Sequence, residues 1–351
     1  MKKRANIFLL GLLMLSTMTN VWARGRVDQE RVIETTYPLS ADGRLELNNK
    51  FGAITIRSWD KPTVALKATI RVWGRNEKQV EEVLAQLDVK HTKSGRTVRF
   101  ETIIDYEGDN NISERQGFEI EYEIQMPATP ELEIENKFGA VSMGDHTGAM
   151  NIELKFGSLR AARLTGANRK NIQVSFGSAD IDELAQGELI VKHGSATVGK
   201  VKKAYLEVKH GSLEVEEGDD LETLVKHGRT QVGTVRRLRS ESAFGSFEVA
   251  RLLTSAIIET KHGSCDVGSV AAGFEELEIE SAFGSVKIDF EKTADFRFTI
   301  ETDFGGFSSS LPNGTIRRDI EEQHNREVEG SYGKGRARVS VEAKHGNIRF
   351  R

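Results

Sequence analysis

Leu206-Glu-Val-Lys-His-Gly-Ser-Leu-Glu-Val215 decides the fold. Leu206 and Val208 alternate with Glu207 and Lys209 before His210-Gly211, and Leu213 and Val215 alternate with Glu214 after it. Strict alternation is the mark of a half-buried β-strand, and the glycine between two such runs marks a corner. The ring-plus-glycine pair recurs as Phe138-Gly139, Phe156-Gly157, Phe176-Gly177, His193-Gly194, His210-Gly211, His227-Gly228, Phe244-Gly245, His262-Gly263, Phe283-Gly284 and Phe304-Gly305. Successive steps are 18, 20, 17, 17, 17, 17, 18, 21 and 21 residues, with outlying copies at Phe51-Gly52 and His345-Gly346.

Four residues before each ring stand Ile134, Ile152, Ile172, Leu189, Leu206, Thr223, Ser240, Ile258, Ile279 and Ile300, a mostly aliphatic column. Each repeat is therefore two short strands bent at glycine. Such a pair buries no core by itself, but pairs stacked about 4.8 Å apart bury a continuous one. The expected fold is all-β, a β-solenoid of about 17–21 residues per coil and about 12 coils, with ten coils spanning roughly 45 Å. A helical solenoid would show 3.6-residue periodicity, which the repeats lack. The glycine allows a sharp corner or close approach of neighbouring coils, and the serine that often follows, as at Ser195 and Ser212, can bond the turn backbone.

Residues 1–23 read as a secretory signal peptide: Lys2, Lys3 and Arg4, an apolar run from Ile7 to Leu15, then Val21-Trp22-Ala23. The expected location is the periplasm or cell surface. No second apolar run is long enough to span a bilayer, so no transmembrane segment is expected in the mature chain. The single cysteine, Cys265, excludes an intramolecular disulfide, and no cysteine near the cleavage site would accept a lipid. A formal charge of −4, or −7 without the three signal-peptide cations, is no footprint for nucleic-acid binding. The expected organisation is a lead-in at 24–42, a first coil at 43–56, a β-rich capping insert at 57–131 with a helix near 76–87, repeats over 132–311, a polar loop at 312–335 and a final coil at 336–351 closing the stack.

The stretches Leu45-Glu-Leu-Asn-Asn-Lys-Phe-Gly-Ala-Ile-Thr-Ile56, Tyr122-Glu-Ile-Gln-Met-Pro127, Gly330-Ser-Tyr-Gly-Lys-Gly335 and His345-Gly-Asn-Ile-Arg-Phe350 resemble the bacterial adhesin-like β-solenoid families of unknown function, related in style to autotransporter adhesin head domains. The resemblance spans about residues 40–351. Those families place Asn-Gly where this chain places Phe-Gly or His-Gly. The resemblance implies an exported β-helical envelope protein with no catalytic residues, some of its relatives accompanying envelope-stress systems.

Two columns are candidate sites. His193, His210, His227 and His262 share one slot and would stack about 5 Å apart. Read as ligands they would suit zinc, copper or nickel. Phe fills the same slot in six of the ten repeats, and the slot shares parity with buried columns, so an aromatic corner stack is the simpler reading and no metal or cofactor is expected. Lys192, Lys209, Lys226 and Lys261 immediately precede these histidines and would form a cationic row, either a solvated face or a surface for an anionic ligand. Cys265 falls in an inward column and reads as a small core residue. Corners of a few residues leave no walls for a substrate cleft, and no nucleophile, base and acid group together, so catalysis is not expected. The expected function is a non-enzymatic, adhesin-like surface for glycan or protein. A periplasmic scaffold in envelope-stress signalling is the first alternative, and a carbohydrate-active enzyme on a β-helix the second.

Overall fold

The structure, a computed structural model, describes residues 26–105 and 116–351. The expected signal peptide at 1–23 lies outside the described residues, as do residues 106–115 of the expected insert. The described chain is a β-solenoid of 26 strands and one helix, divided into two compact units, one ending at Ser142 and one starting at Met143.

In the second unit each coil has two legs joined at the ring-glycine corner. The leg before the corner passes through Met150–Lys155, Lys170–Ser175 and residues 187–192, 204–208, 221–225 and 238–242, each parallel to the next and in register. The leg after it passes through Leu159–Leu164 and residues 179–184, 196–201, 213–218 and 230–235 in the same way. Alternate residues of both legs point inward, so Leu189, Leu206, Leu213 and Val215 are buried while Glu214 is exposed. Core volume is conserved by exchange between legs. In the coil of Phe244 the first leg turns in Leu238 and the small Ser240 and Ser242, and the other leg supplies the large buried Phe247. Where the step grows from 17 to 18 residues, the extra residue is absorbed as a register shift between Val235 and Arg237.

The corner is closed by backbone approaching backbone. A Cβ built on Gly211 would lie 1.8 Å from the carbonyl oxygen of Gly194, and one on Gly228 would lie 1.7 Å from that of Gly211. No side chain fits there. The Gly211 N–H donates to the His227 carbonyl at 2.9 Å and the Gly228 N–H to that of Phe244 at 2.8 Å, so the interstrand ladder runs through the bend.

The end of this unit corrects two expectations. The final coil, Ala337–His345 and Ile348–Phe350, does not close the stack. It lies between the coil of Phe283 and the coil of Phe304, pairing in parallel with Glu276–Phe283 on one side and Phe296–Phe304 on the other. The segment 312–335, expected as a polar loop, is a β-hairpin of Gly314–Glu322 and Asn325–Tyr332. Its second strand pairs antiparallel with Phe296–Phe304 and covers that edge. Gly314–Glu322 is exposed along its whole length, so it carries no buried face to betray a strand in the sequence. Its charges, among them Arg317, Arg318, Asp319 and Glu321, discourage a further strand from adding to the edge.

The first unit repeats the device. Arg44–Lys50 lies between Thr97–Ile104 and Glu131–Lys137, all parallel, and Ile54–Ser58 pairs in parallel with Gly117–Met126. Residues 97–104 and 117–126 of the expected insert therefore form a coil of their own beside the coil of 43–56. Antiparallel strands cover its outer side: Thr63–Gly74 on Gly117–Met126, Val27–Pro38 on Thr63–Gly74, and Leu87–Ser94 on Thr97–Ile104. The expected lead-in thus contains a 12-residue strand. The helix spans Glu77–Leu84; the Asn76 side chain accepts the Gln79 N–H at 2.9 Å, Val80 is buried, and Leu87 already opens the next strand.

Two measurements test this geometry. Gly211→Val is expected to lower the melting temperature by about 5 °C or more, against about 1 °C or less for Lys209→Ala, since the first forces atoms into occupied space and the second trims a surface side chain; equal shifts would contradict the corner. Removing residues 337–351 is expected to expose the connections around Phe296–Phe304 to limited proteolysis, because that strand loses its parallel partner; a digestion pattern unchanged apart from the missing coil would contradict the insertion.

Candidate binding face

The glycine contact leaves the ring residue no place inside the corner, so its side chain turns outward. In the second unit the rings form one column in the order Phe156, Phe176, His193, His210, His227, Phe244, His262, Phe283, His345 and Phe304, with centroids 4.7–4.9 Å apart and planes within 12° of parallel. His324, on the turn of the terminal hairpin, covers Phe304 at 4.8 Å and 24°. In the first unit Phe51 stacks on Phe138 at 5.0 Å, and Phe118 meets Phe51 edge-on at 5.2 Å.

Shared parity with the core columns suggested burial, and the structure differs. Phe156, Phe176, Phe244, Phe283 and Phe304 are 47–56% exposed, and the histidines of the column are exposed as well. Ring faces are covered by neighbouring rings, while ring edges meet solvent. Three members have no place in the regular period: Phe118, His324, and His345, whose position between Phe283 and Phe304 follows from the coil insertion.

Stacking also bears on the metal reading of His193, His210, His227 and His262. Imidazole lone pairs lie in the ring plane, and the rings of His193, His210 and His227 are parallel within 7° with centroids 4.7–4.8 Å apart. Lone pairs in parallel, separated planes do not converge on one ion at the roughly 2 Å distance a metal requires. His262 is sandwiched between Phe244 and Phe283. Among the described residues no three or more His, Cys, Asp or Glu are gathered around a common metal position.

The three adjacent imidazoles have an electrostatic consequence. Two unit charges about 4–5 Å apart repel by about 1 kcal/mol even in water. The His210 pKa lies below the ordinary imidazole value, first because its neighbours strip water from it, then because His193 and His227 oppose a charge there.

Beside the rings runs the lysine row. Lys192 and Lys209 are half-buried, and Lys226 and Lys261 are exposed. Lys209 bonds Glu207 at 3.2 Å; Lys192, Lys226 and Lys261 have no ion-pair partner among the described residues. Two positions further along the same leg the face changes sign. Glu241 aligns with Glu259, Glu259 with Glu280, Glu280 with Glu342, and Glu342 with Glu301, a column of five carboxylates. The Glu280 pKa is raised by burial and by Glu259, Glu342 and Glu278, against the pull of Lys344. Four of these glutamates sit at one offset from their rings in consecutive sequence repeats, a signal the ring column had overshadowed. Glu342 joins them only through the inserted coil.

Other chemistry-bearing side chains are enclosed. Cys265 is buried, and burial pushes its thiol pKa up to about 12. The Lys170 ammonium sits among backbone carbonyls, bonding those of Thr165 and, at 2.7 Å, Asn168. A hollow on the first unit is edged by Glu46, Lys90, Arg99 and Glu101, with Glu46 held by Arg99 at 2.7 Å. No helix among the described residues is long and apolar enough to cross a membrane.

No curated protein matches the chain in comparison. Among solved structures, a candidate cell adhesion protein of Clostridium sporogenes is 12% identical, with 91% of this chain and 99% of that one covered and a TM-score of 0.20. A candidate adhesin of Parabacteroides merdae is 9% identical over 74% of this chain and 96% of that one, with a TM-score of 0.36. One from Bacteroides fragilis is 12% identical over 92% and 97%, with a TM-score of 0.23. Likenesses this distant carry no functional inference. The sequence profile of the Toastrack DUF4097 family matches residues 43–351, from the first coil to the inserted one, and the chain belongs to that family.

Proposed function

We propose that this protein is an exported component of the cell envelope that binds a glycan or another protein, without catalysis, through the ring-and-lysine face of its second unit. The observation that carries this reading is the column of half-exposed rings beside a lysine row in which only Lys209 has an ion-pair partner among the described residues. A continuous stripe of aromatic edges in water adds little to the core and is typical of surfaces that are covered in use. Lys192, Lys226 and Lys261 are not neutralised by ion pairs with the adjacent coils among the described residues, so an incoming anionic group would meet cations already in place.

Export rests on the reading of residues 1–23, and a binding role on the geometry of the face; each has its own test. Protease added to intact host cells is expected to digest the chain, placing the face outside. Protection until the outer membrane is opened would instead favour a periplasmic scaffold. On an array of anionic and neutral glycans and envelope proteins, replacing Lys192, Lys209 and Lys226 together with alanine is expected to weaken the captured ligand by about tenfold or more. Unchanged capture would remove this face from the function.

A further inference from the structure

We propose that His193, His210 and His227, with Lys192, Lys209 and Lys226 beside them, form a proton-gated site for a short stretch of a linear anionic glycan, held more tightly as the pH falls through the imidazole range. The proposal rests on the binding-face reading above and adds the ligand's charge and the condition under which it is held.

The first ground is periodicity. Lys-His-Gly occurs in three consecutive coils 17 residues apart, in register, so the imidazoles repeat at 4.7–4.8 Å and a lysine precedes each one. Arg229 follows the third corner, where the first two carry Ser195 and Ser212, and adds a further exposed cation. The second ground is confinement. Phe176 and Phe244 bound the run, and beyond Phe244 the same face carries the column from Glu241 to Glu301. A flat anionic membrane laid on this face would bring those five carboxylates against its own charge, whereas a narrow chain can occupy the three basic coils alone. The third ground is the covered ring faces. Single-stranded nucleic acid is held largely by bases stacking on open aromatic faces, and each ring here already has a ring on either side. The exposed edges offer imidazole N–H groups, which suit the hydroxyl, carboxylate and sulfate oxygens of a sugar chain.

The proton enters through the surroundings of the run. Lys192, Lys209 and Lys226 face it from the leg before the corner, and Ser195, Ser212 and Arg229 from the leg after it. Of the acids near the run, Glu207 is engaged with Lys209, Glu241 stands on the adjacent coil beside Leu224, and Glu188, Tyr205 and Glu222 lie two positions further down the leg. In the free protein the loss of water against the flanking rings, and then His193 and His227, oppose a charge on His210 and hold its pKa below the ordinary imidazole value. An anionic chain over the row offsets the lysine charges and favours imidazolium, so binding takes up protons and tightens as protons become available.

The test measures binding of low-molecular-weight heparin, whose sulfates stay ionised throughout, between pH 7.5 and 5.5 at fixed ionic strength, with neutral dextran as control. The wild-type protein is expected to gain about tenfold or more in affinity on acidification, the equivalent of one pKa unit at a single imidazole. Combined His193→Phe, His210→Phe and His227→Phe substitution places in the slot a ring the fold already uses there. It should leave the melting temperature close to wild type and abolish the gain on acidification; His262→Phe, outside the run, should keep it. Heparin binding that is lost on Lys→Ala replacement but shows no pH gain, or a gain that survives in the triple phenylalanine variant, overturns the gate while leaving the binding face standing. Absence of heparin binding at every pH, or binding indifferent to the lysines, overturns the anionic-glycan site. Tighter binding of single-stranded DNA or of anionic lipid vesicles overturns the choice of glycan.

Discussion

Every regularity of this fold depends on the contact between corner glycines of successive coils. Cβ atoms built at Gly194, Gly211, Gly228, Gly245 and Gly263 would each lie 1.7–1.8 Å from the carbonyl oxygen of the preceding corner, far inside any real contact. Backbone packed this closely fixes the corner spacing, and the ring column inherits it at 4.7–4.9 Å. In the early coils the ring residue itself bears the strain: Phe51, Phe138, Phe156, Phe176 and His193 have φ between 56° and 61°. A left-handed backbone costs an L residue about 1–2 kcal/mol, and an aromatic pair returns about 0.5–1.5 kcal/mol, so the stacking helps hold the conformation that makes it possible. In later coils the positive φ moves to glycine, 136° at Gly245 and 140° at Gly263, where no Cβ objects.

A stack of near-identical coils risks pairing out of order, and the corner opposite the rings supplies a discriminant. Asp219 and Asp220 lie between Lys203 of the coil before and Arg236 and Arg237 of the coil after, with pairs at 3.6–4.0 Å. Each exposed pair contributes at most about 1 kcal/mol, but exchanging coils would set like charges against like, so the alternation specifies sequence order more than it adds stability. The inserted coils answer a different hazard. Ala337–His345 is hydrogen-bonded on both sides, so the edge of that leg passes to Phe296–Phe304, which the hairpin covers. Arg44–Lys50 occupies the equivalent position in the first unit.

The coil was legible because its determinants are local. Alternation of Leu206, Val208, Leu213 and Val215 about one glycine follows from the two-residue period of a strand and needs no knowledge of partners. The order of coils was not legible. Whether the segment at Ala337 pairs beyond Phe304 or before it depends on how far the Gly314–Glu322 and Asn325–Tyr332 hairpin carries the chain back, and exposed, charged strands carry no burial pattern from which to read that path. Orientation at the corner was missed for a related reason. Parity assigns a residue to a face only while the strand stays straight, and the ring residue sits where the strand bends, so a slot with the parity of the core ends up in solvent.

The candidate site is informative where the fold is indifferent. Stacking accepts either ring: Phe176, His193 and Phe244 lie in the same column at the same spacing as His210 and His227. Geometry therefore explains why a flat side chain stands at each corner, but not why imidazole rather than phenyl occupies three successive coils, or why lysine accompanies each. The same indifference holds for the Glu241–Glu301 column, where in-register carboxylates repel and work against stability. Rows of like charge on neighbouring coils oppose the packing that holds those coils together. Each row is therefore a property of the surface rather than of the packing, and the change of sign between them divides the face into a basic part and an acidic part.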